Sequence, residues 1–251
     1  MSDAGEVAIV TGAGRGIGAA IAARLASDGA AVAVVDVDLA TAQETAARLR
    51  DTGARALAVG ADVARVDDVQ GAVDAIARDL GDPTIVVNNA GVTRPGMLHR
   101  LTPEDWELTS SVCLQGTFHV LRAVAPWFRD RERRRPRRVV NIASVAGIHG
   151  GVGSAAYAAA KAGVIGLTRT LALEWAPFGV TVNAVAPGFT ETPMTASLED
   201  EVRARIIAQI PLGRAGRPED VAAAVAFLAG QEAAFITGQV LEVHGGLGLI
   251  A

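Results

Sequence analysis

The sequence predicts a doubly wound α/β fold: a single domain over residues 1–251, with a parallel sheet of seven strands and helices on both faces. Three observations predict it. Short β-branched runs, apolar on both faces, recur along the chain as strands buried between two layers would. Ala-rich stretches of helical length separate them. A glycine-rich turn joins the first strand to the first helix, where such folds bind anions.

In chain order, Val7-Ala8-Ile9-Val10-Thr11 reads as the first strand, followed by a helix through Gly18 to about Asp28. Ala31 to Asp36 is the second strand and Leu39 to Arg50 the second helix. Further strands are expected at Ala56 to Gly60, Ile85 to Asn88, Arg138 to Ile142, Val180 to Ala184 and Gln239 to Val243. Helices fit at Val66 to Leu80, Val112 to Phe128, Ser154 to Trp175 and Pro218 to Leu228. The Arg-rich run Arg129 to Arg138 sits between a helix and a strand and reads as a solvated helix end, with docking of an acidic partner as the alternative.

Composition excludes several classes. A chain of 251 residues that is 50% hydrophobic with net charge -4 supports a sizeable core and lies far from the disordered regime. Mild acidity argues against nucleic acid as a partner, and the Arg run lacks interleaved aromatics. No apolar run reaches the roughly 18 residues needed to cross a bilayer. One Cys permits no internal disulfide, so a reducing, cytoplasmic setting is expected. The four His residues have no metal-ligand spacing, and no metal is expected.

The turn Thr11-Gly12-Ala13-Gly14-Arg15-Gly16-Ile17-Gly18 lets backbone approach a pyrophosphate at a helix N-terminus. Asp36 ends the second strand, 20 residues after Gly16, where a carboxylate accepts ribose hydroxyls and repels a 2′-phosphate. Arg15 argues the other way, as a partner for that phosphate. A short carboxylate at a strand end is the more fixed of the two, so NAD is favoured over NADP.

Tyr157 and Lys161 are the chain's one Tyr and one Lys, and i,i+4 spacing puts them on one helix face. A free Tyr titrates near about 10, and a Lys ammonium one turn away favours the phenolate and lowers that value. Ser144 follows a predicted strand, 13 residues before Tyr157, and its hydroxyl suits a carbonyl or alcohol oxygen.

Together these motifs resemble the short-chain dehydrogenases/reductases, Rossmann-type enzymes, over essentially the whole chain. Thr11 to Gly18 looks like that family's cofactor loop, with Gly12, Arg15, Gly16, Ile17 and Gly18 at the cofactor. Asp62-Val63 looks like its adenine-contacting pair, and Asn89, Ala90 and Gly91 like the element lining the cofactor site. Pro187, Gly188, Thr190 and Thr192 resemble the segment that covers the nicotinamide, within a lid near 190–210. The resemblance implies hydride transfer between a nicotinamide and a carbonyl or carbinol carbon. Ser144 orients the substrate oxygen, Tyr157 exchanges its proton, and Lys161 binds ribose hydroxyls and lowers the Tyr pKa. One departure is Cys113, which stands where the family commonly has an Asn that holds a water of the proton relay.

Segments such as Ile210 to Arg214 and His244-Gly245-Gly246 look most like the 3-oxoacyl-carrier-protein reductase branch. That implies an acyl-thioester substrate and an acyl carrier protein as partner. Two departures pull toward an NAD-linked sugar, polyol or secondary-alcohol dehydrogenase: Asp36, in a branch that mostly uses NADPH, and Leu173 in place of a docking Arg. A cofactor-binding scaffold with low turnover is the reading from a different class. The resemblance also implies a homotetramer assembled through the two long helices.

Overall fold

The computed structural model describes residues 5–130, 135–196 and 198–248. The apolar runs pair, all in parallel, into one sheet: β1 (Val7–Thr11), β2 (Ala31–Asp36), β3 (Ala56–Gly60), β4 (Ile85–Asn88), β5 (Arg137–Ile142), β6 (Val180–Pro187) and β7 (Val240–Val243). Their spatial order is β3-β2-β1-β4-β5-β6-β7. Chain direction across the sheet therefore reverses between β1 and β4, and a crevice opens at the carboxyl ends of those strands.

Alternating strand residues serve two layers. Ala8, Val10, Val32 and Val34 face α1 (Gly16–Ser27), α2 (Leu39–Asp51) and α9 (Pro218–Ala229). Val7, Ile9, Ala33 and Val35 face α3 (Val66–Asp79), α5 (Gly116–Phe128) and α7 (Ala155–Trp175). Phe128 and Trp175 are buried in the second layer with ring centroids 5.7 Å apart, and truncating a buried aromatic of this kind costs about 3–5 kcal/mol. This is the doubly wound arrangement expected. Among the described residues, no helix is long and apolar enough to cross a membrane.

A buried polar chain fixes α7 to the sheet. Asn88 and Asn141 are register partners on β4 and β5, and Asn88 Nδ2 donates to Asn141 Oδ1 at 2.8 Å. Asn141 Nδ2 donates to Thr168 Oγ1 at 2.9 Å, and Thr168 Oγ1 donates to the Val164 carbonyl. Thr168 lies two turns beyond Lys161, so this chain sets which face of α7 meets the site.

Three expectations need correction. The Val112 to Phe128 helix is not uniform: α4 (Pro103–Ser110) leads into a π-helical turn, Ser111–Gln115, before α5 begins. β6 runs on to Pro187 instead of stopping at Ala184, because Ala184 to Pro187 pair with β7. The Arg run is not wholly a solvated helix end. Arg137 and Arg138 open β5 and are only 2% and 5% exposed. Arg138 donates to the Gly230 and Arg137 carbonyls, and burial pushes its pKa down while Glu6 partly offsets that. Positions 131–134 of the run lie outside the described residues.

Candidate active site

Three glycines of the cofactor turn, Gly12, Gly14 and Gly18, are packed too tightly to admit a side chain. Gly16 opens α1 at φ +58°, in the left-handed region that glycine enters without strain. A Cβ on Gly18 would lie 2.1 Å from the Gly12 carbonyl oxygen and 2.5 Å from Asn89 Nδ2. Asn89 itself braces the turn, its Nδ2 donating to the Thr11 and Gly12 carbonyls at 2.9 Å each. Thr11 Oγ1 accepts the Asn89 and Ala90 amides at 3.0 and 3.1 Å. The first-turn amides of α1 have no helical acceptors, so the turn presents donors at the positive pole of a helix.

Asp36 ends β2 with its carboxylate fixed from two sides. Oδ2 accepts the Gly14 amide at 2.9 Å and Oδ1 the Asp38 amide at 3.1 Å. Arg15, the residue after Gly14, is exposed. Asp62 Oδ1 accepts the Ala64 amide, and the buried Val63 takes a hydrogen bond on its carbonyl from His119 Nδ1 at 2.9 Å.

Lys161 and Tyr157 lie on one face of α7, and Lys161 reaches the carboxyl end of β5, two residues before Ser144. Lys161 is 2% exposed and its Nζ donates to the carbonyl of Ile142, the last residue of β5, at 2.6 Å. Nζ also lies 5.7 Å from the centre of the Tyr157 ring, as the shared helix face requires. Ser144 Oγ accepts the Ala146 amide at 3.1 Å, which leaves its own proton free to donate. The next helix, α6 (Ala146–His149), starts from that turn.

Cys113 is fully buried in the π-helical turn, and its thiol donates to the Val92 carbonyl at 3.3 Å. Gly91 separates it from the lysine: a Cβ there would sit 3.5 Å from Cys113 Sγ and 3.7 Å from Lys161 Nζ. The thiol therefore borders the lysine pocket, and its one proton is committed to a backbone carbonyl.

The segment after β6 reaches over the glycine turn. A Cβ on Gly16 would touch Pro193 at 3.5 Å and Thr192 at 3.7 Å. Thr192 N donates to Thr195 Oγ1, and the buried Thr190 donates to the Gly188 carbonyl. Glu191 pairs with Arg203 of α8 (Asp200–Ala208). Position 197 of this segment lies outside the described residues.

The base of the segment rests on Arg214 and Asp220. Arg214 donates to both Asp220 oxygens, at 2.6 and 3.0 Å, and the Arg217 amide donates to Oδ2 at 2.7 Å. The Arg214 hydrogen bonds, then the Arg217 amide, hold the Asp220 pKa down at about 2, below the ordinary 3.8. A depressed carboxylate stabilises the fold above its unfolded pKa and loses that contribution as pH falls from about 4 through 2. With Arg214 half exposed to screening solvent, Asp220→Asn should cost about 1 kcal/mol at neutral pH. Urea melts of both proteins should converge as pH approaches 2; a constant gap would contradict this origin.

The family model described as enoyl-(acyl carrier protein) reductase, a short-chain dehydrogenase/reductase model, matches residues 12–248. The chain belongs to the short-chain dehydrogenase/reductase family. It is 45% identical to a 3-oxoacyl-[acyl-carrier-protein] reductase of Vibrio cholerae serotype O1, covering 100% of both chains. It is 43% identical to the Escherichia coli K12 enzyme of that name, again over 100% of both. To the Thermotoga maritima one it is 40% identical, over 97% of this chain and 98% of the other. As a family member it is an NAD(P)-dependent oxidoreductase. The glycine turn, the free first-turn amides and the Asp36 carboxylate fit the pyrophosphate and adenosine ribose of such a dinucleotide.

Sequence reasoning missed several working parts. Thr11 lies in the quoted turn and Asn88 ends a predicted strand, but their roles as acceptor and brace depend on partners 53 to 79 residues away. Glu242 went unnoticed altogether, although it touches two of the four histidines.

Proposed function

We propose that this oxidoreductase reduces a 3-oxoacyl thioester to the 3-hydroxyacyl thioester, with NAD(H) favoured over NADP(H). The observation that carries the substrate is the end-to-end similarity to three reductases named for 3-oxoacyl-carrier-protein. In this reading acyl carrier protein presents the substrate. Exposed Met97, Leu98, Ile148 and Met194, on segments flanking the catalytic groups, suit an acyl chain.

Ser144 Oγ–H donates to the substrate carbonyl oxygen and fixes its direction. Tyr157 Oη delivers a proton to that oxygen as it gains negative charge. Lys161 holds ribose hydroxyls with the donors that Ile142 leaves free, and its positive charge favours the phenolate left behind. The bound nicotinamide supplies the hydride. The segment near 190–210 acts as the lid that excludes water. Exposed Phe118 on α5 and Leu173 on α7 support association through these helices into a homotetramer.

The cofactor preference rests on Asp36. A 2′-phosphate placed there meets a carboxylate held by two backbone amides. Asp36→Asn should shift the ratio of kcat/KM for NADP(H) over NAD(H) upward by about tenfold or more, because like-charge contacts cost up to several kcal/mol. An unchanged ratio would remove Asp36 from the discrimination.

Asp36 and the 80% exposed Leu173, where a docking Arg is usual, favour a second reading, an NAD-linked sugar, polyol or secondary-alcohol dehydrogenase. A panel of 3-oxoacyl thioesters, ketones, sugars and secondary alcohols, read by cofactor absorbance with both cofactors, separates the two. The thioester reading requires the highest kcat/KM among thioesters; a sugar or simple alcohol ahead by tenfold would replace it.

A further inference from the structure

The turn that carries Ser144 is tied to the far edge of the sheet by side chains outside the catalytic set. His149 closes α6, five residues beyond Ser144. Its Nε2 lies 2.8 Å from Glu242 Oε2 on β7, 93 residues away in sequence. The same oxygen lies 3.3 Å from His244 Nε2. His244 Nδ1 accepts the Gly246 amide at 2.9 Å, so its ring proton sits on Nε2, the nitrogen within ion-pair distance of the carboxylate. His244 also packs against the nicotinamide-covering segment: a Cβ on Gly188 would lie 2.6 Å from His244 Cβ. Backbone bonds run the same way, from Val145 N to the Pro187 carbonyl and from Gly188 N to the Val243 carbonyl.

We propose that His149, Glu242 and His244 form a latch that positions the Ser144 turn against Pro187 and Gly188, and so sets the direction in which Ser144 holds the substrate oxygen. These are positioning residues. None has a place in the proton transfer, and Glu242 acts through the two imidazoles it contacts, accepting from His149 and lying beside His244. His149 is 47% exposed and Glu242 30%, whereas His244 is 8%, so the latch spans from solvent to a buried anchor. The kinetic part of the proposal rests on the carbonyl-reduction reading; the mechanical part does not.

Glu242→Gln keeps an acceptor for His149 and a polar group beside His244, and Glu242→Leu removes both. Amide exchange over 145–150 reads the latch without substrate or turnover. Glu242→Leu should speed that exchange at least about tenfold while Gln stays near wild type. With the best thioester of the panel, Leu should lower kcat about tenfold, because small misalignments are costly, with cofactor Kd unchanged and Gln restoring most of the rate. Unchanged exchange in the Leu variant overturns the latch, and faster exchange with unchanged kcat overturns its positioning role. Absence of wild-type turnover on every substrate refutes the carbonyl-reduction reading instead, and the exchange result still decides the latch.

Discussion

Tyr157→Phe should lower kcat/KM by about 10²–10⁴-fold and leave cofactor affinity within about twofold of wild type. The variant loses one hydroxyl and keeps the ring that lies 5.7 Å from Lys161 Nζ. The chain has no second Tyr and no second Lys to take over the proton transfer. In the reading proposed above the glycine turn, Asp36 and Lys161 hold the cofactor, so equilibrium binding should persist. Rapid-equilibrium titration beside steady-state kinetics checks both halves. A scaffold with incidental turnover would lose neither, and that outcome would refute an acid–base role for Tyr157.

Gly18→Ala should act in the opposite way, on binding more than on chemistry. Its Cβ would sit 2.1 Å from the Gly12 carbonyl oxygen, a backbone atom that cannot rotate aside, and 2.5 Å from the Asn89 amide that braces the turn. Relief requires the turn to move off Asn89. Overpacking of this kind costs about 1–3 kcal/mol. If the strain falls on the binding conformation, cofactor Kd rises by roughly tenfold to a hundredfold. Calorimetric titration reads this directly, with a thermal melt to separate it from global unfolding. Wild-type affinity in a folded Gly18→Ala protein would mean that the turn does not contact the cofactor.

The strands were legible because burial on both faces leaves a mark at every residue. Val7 to Thr11 and Ala31 to Asp36 have no polar side, and the structure places them as read. Tyr157 and Lys161 were legible because i,i+4 spacing needs only a helix, and α7 is one. Features set by distant partners were not. Arg138 reads as solvated, since nothing local announces the Gly230 carbonyl, 92 residues away, that receives it. The π-helical turn at Cys113 lies between α4 and α5, and residue propensity does not mark it. Glu242 is one carboxylate on an edge strand, and only the sheet order brings it to His149.

The most direct measurement follows the hydride. Reduced nicotinamide cofactor carrying deuterium at C4 is incubated with the enzyme and a 3-oxoacyl thioester, and the product is read by mass spectrometry and NMR. A family reductase working as described delivers one deuterium to C3 of the 3-hydroxyacyl product, with the hydroxyl proton drawn from solvent through Tyr157. A reduced product without label at C3, or label at the adjacent carbon of a saturated product, would contradict carbonyl reduction.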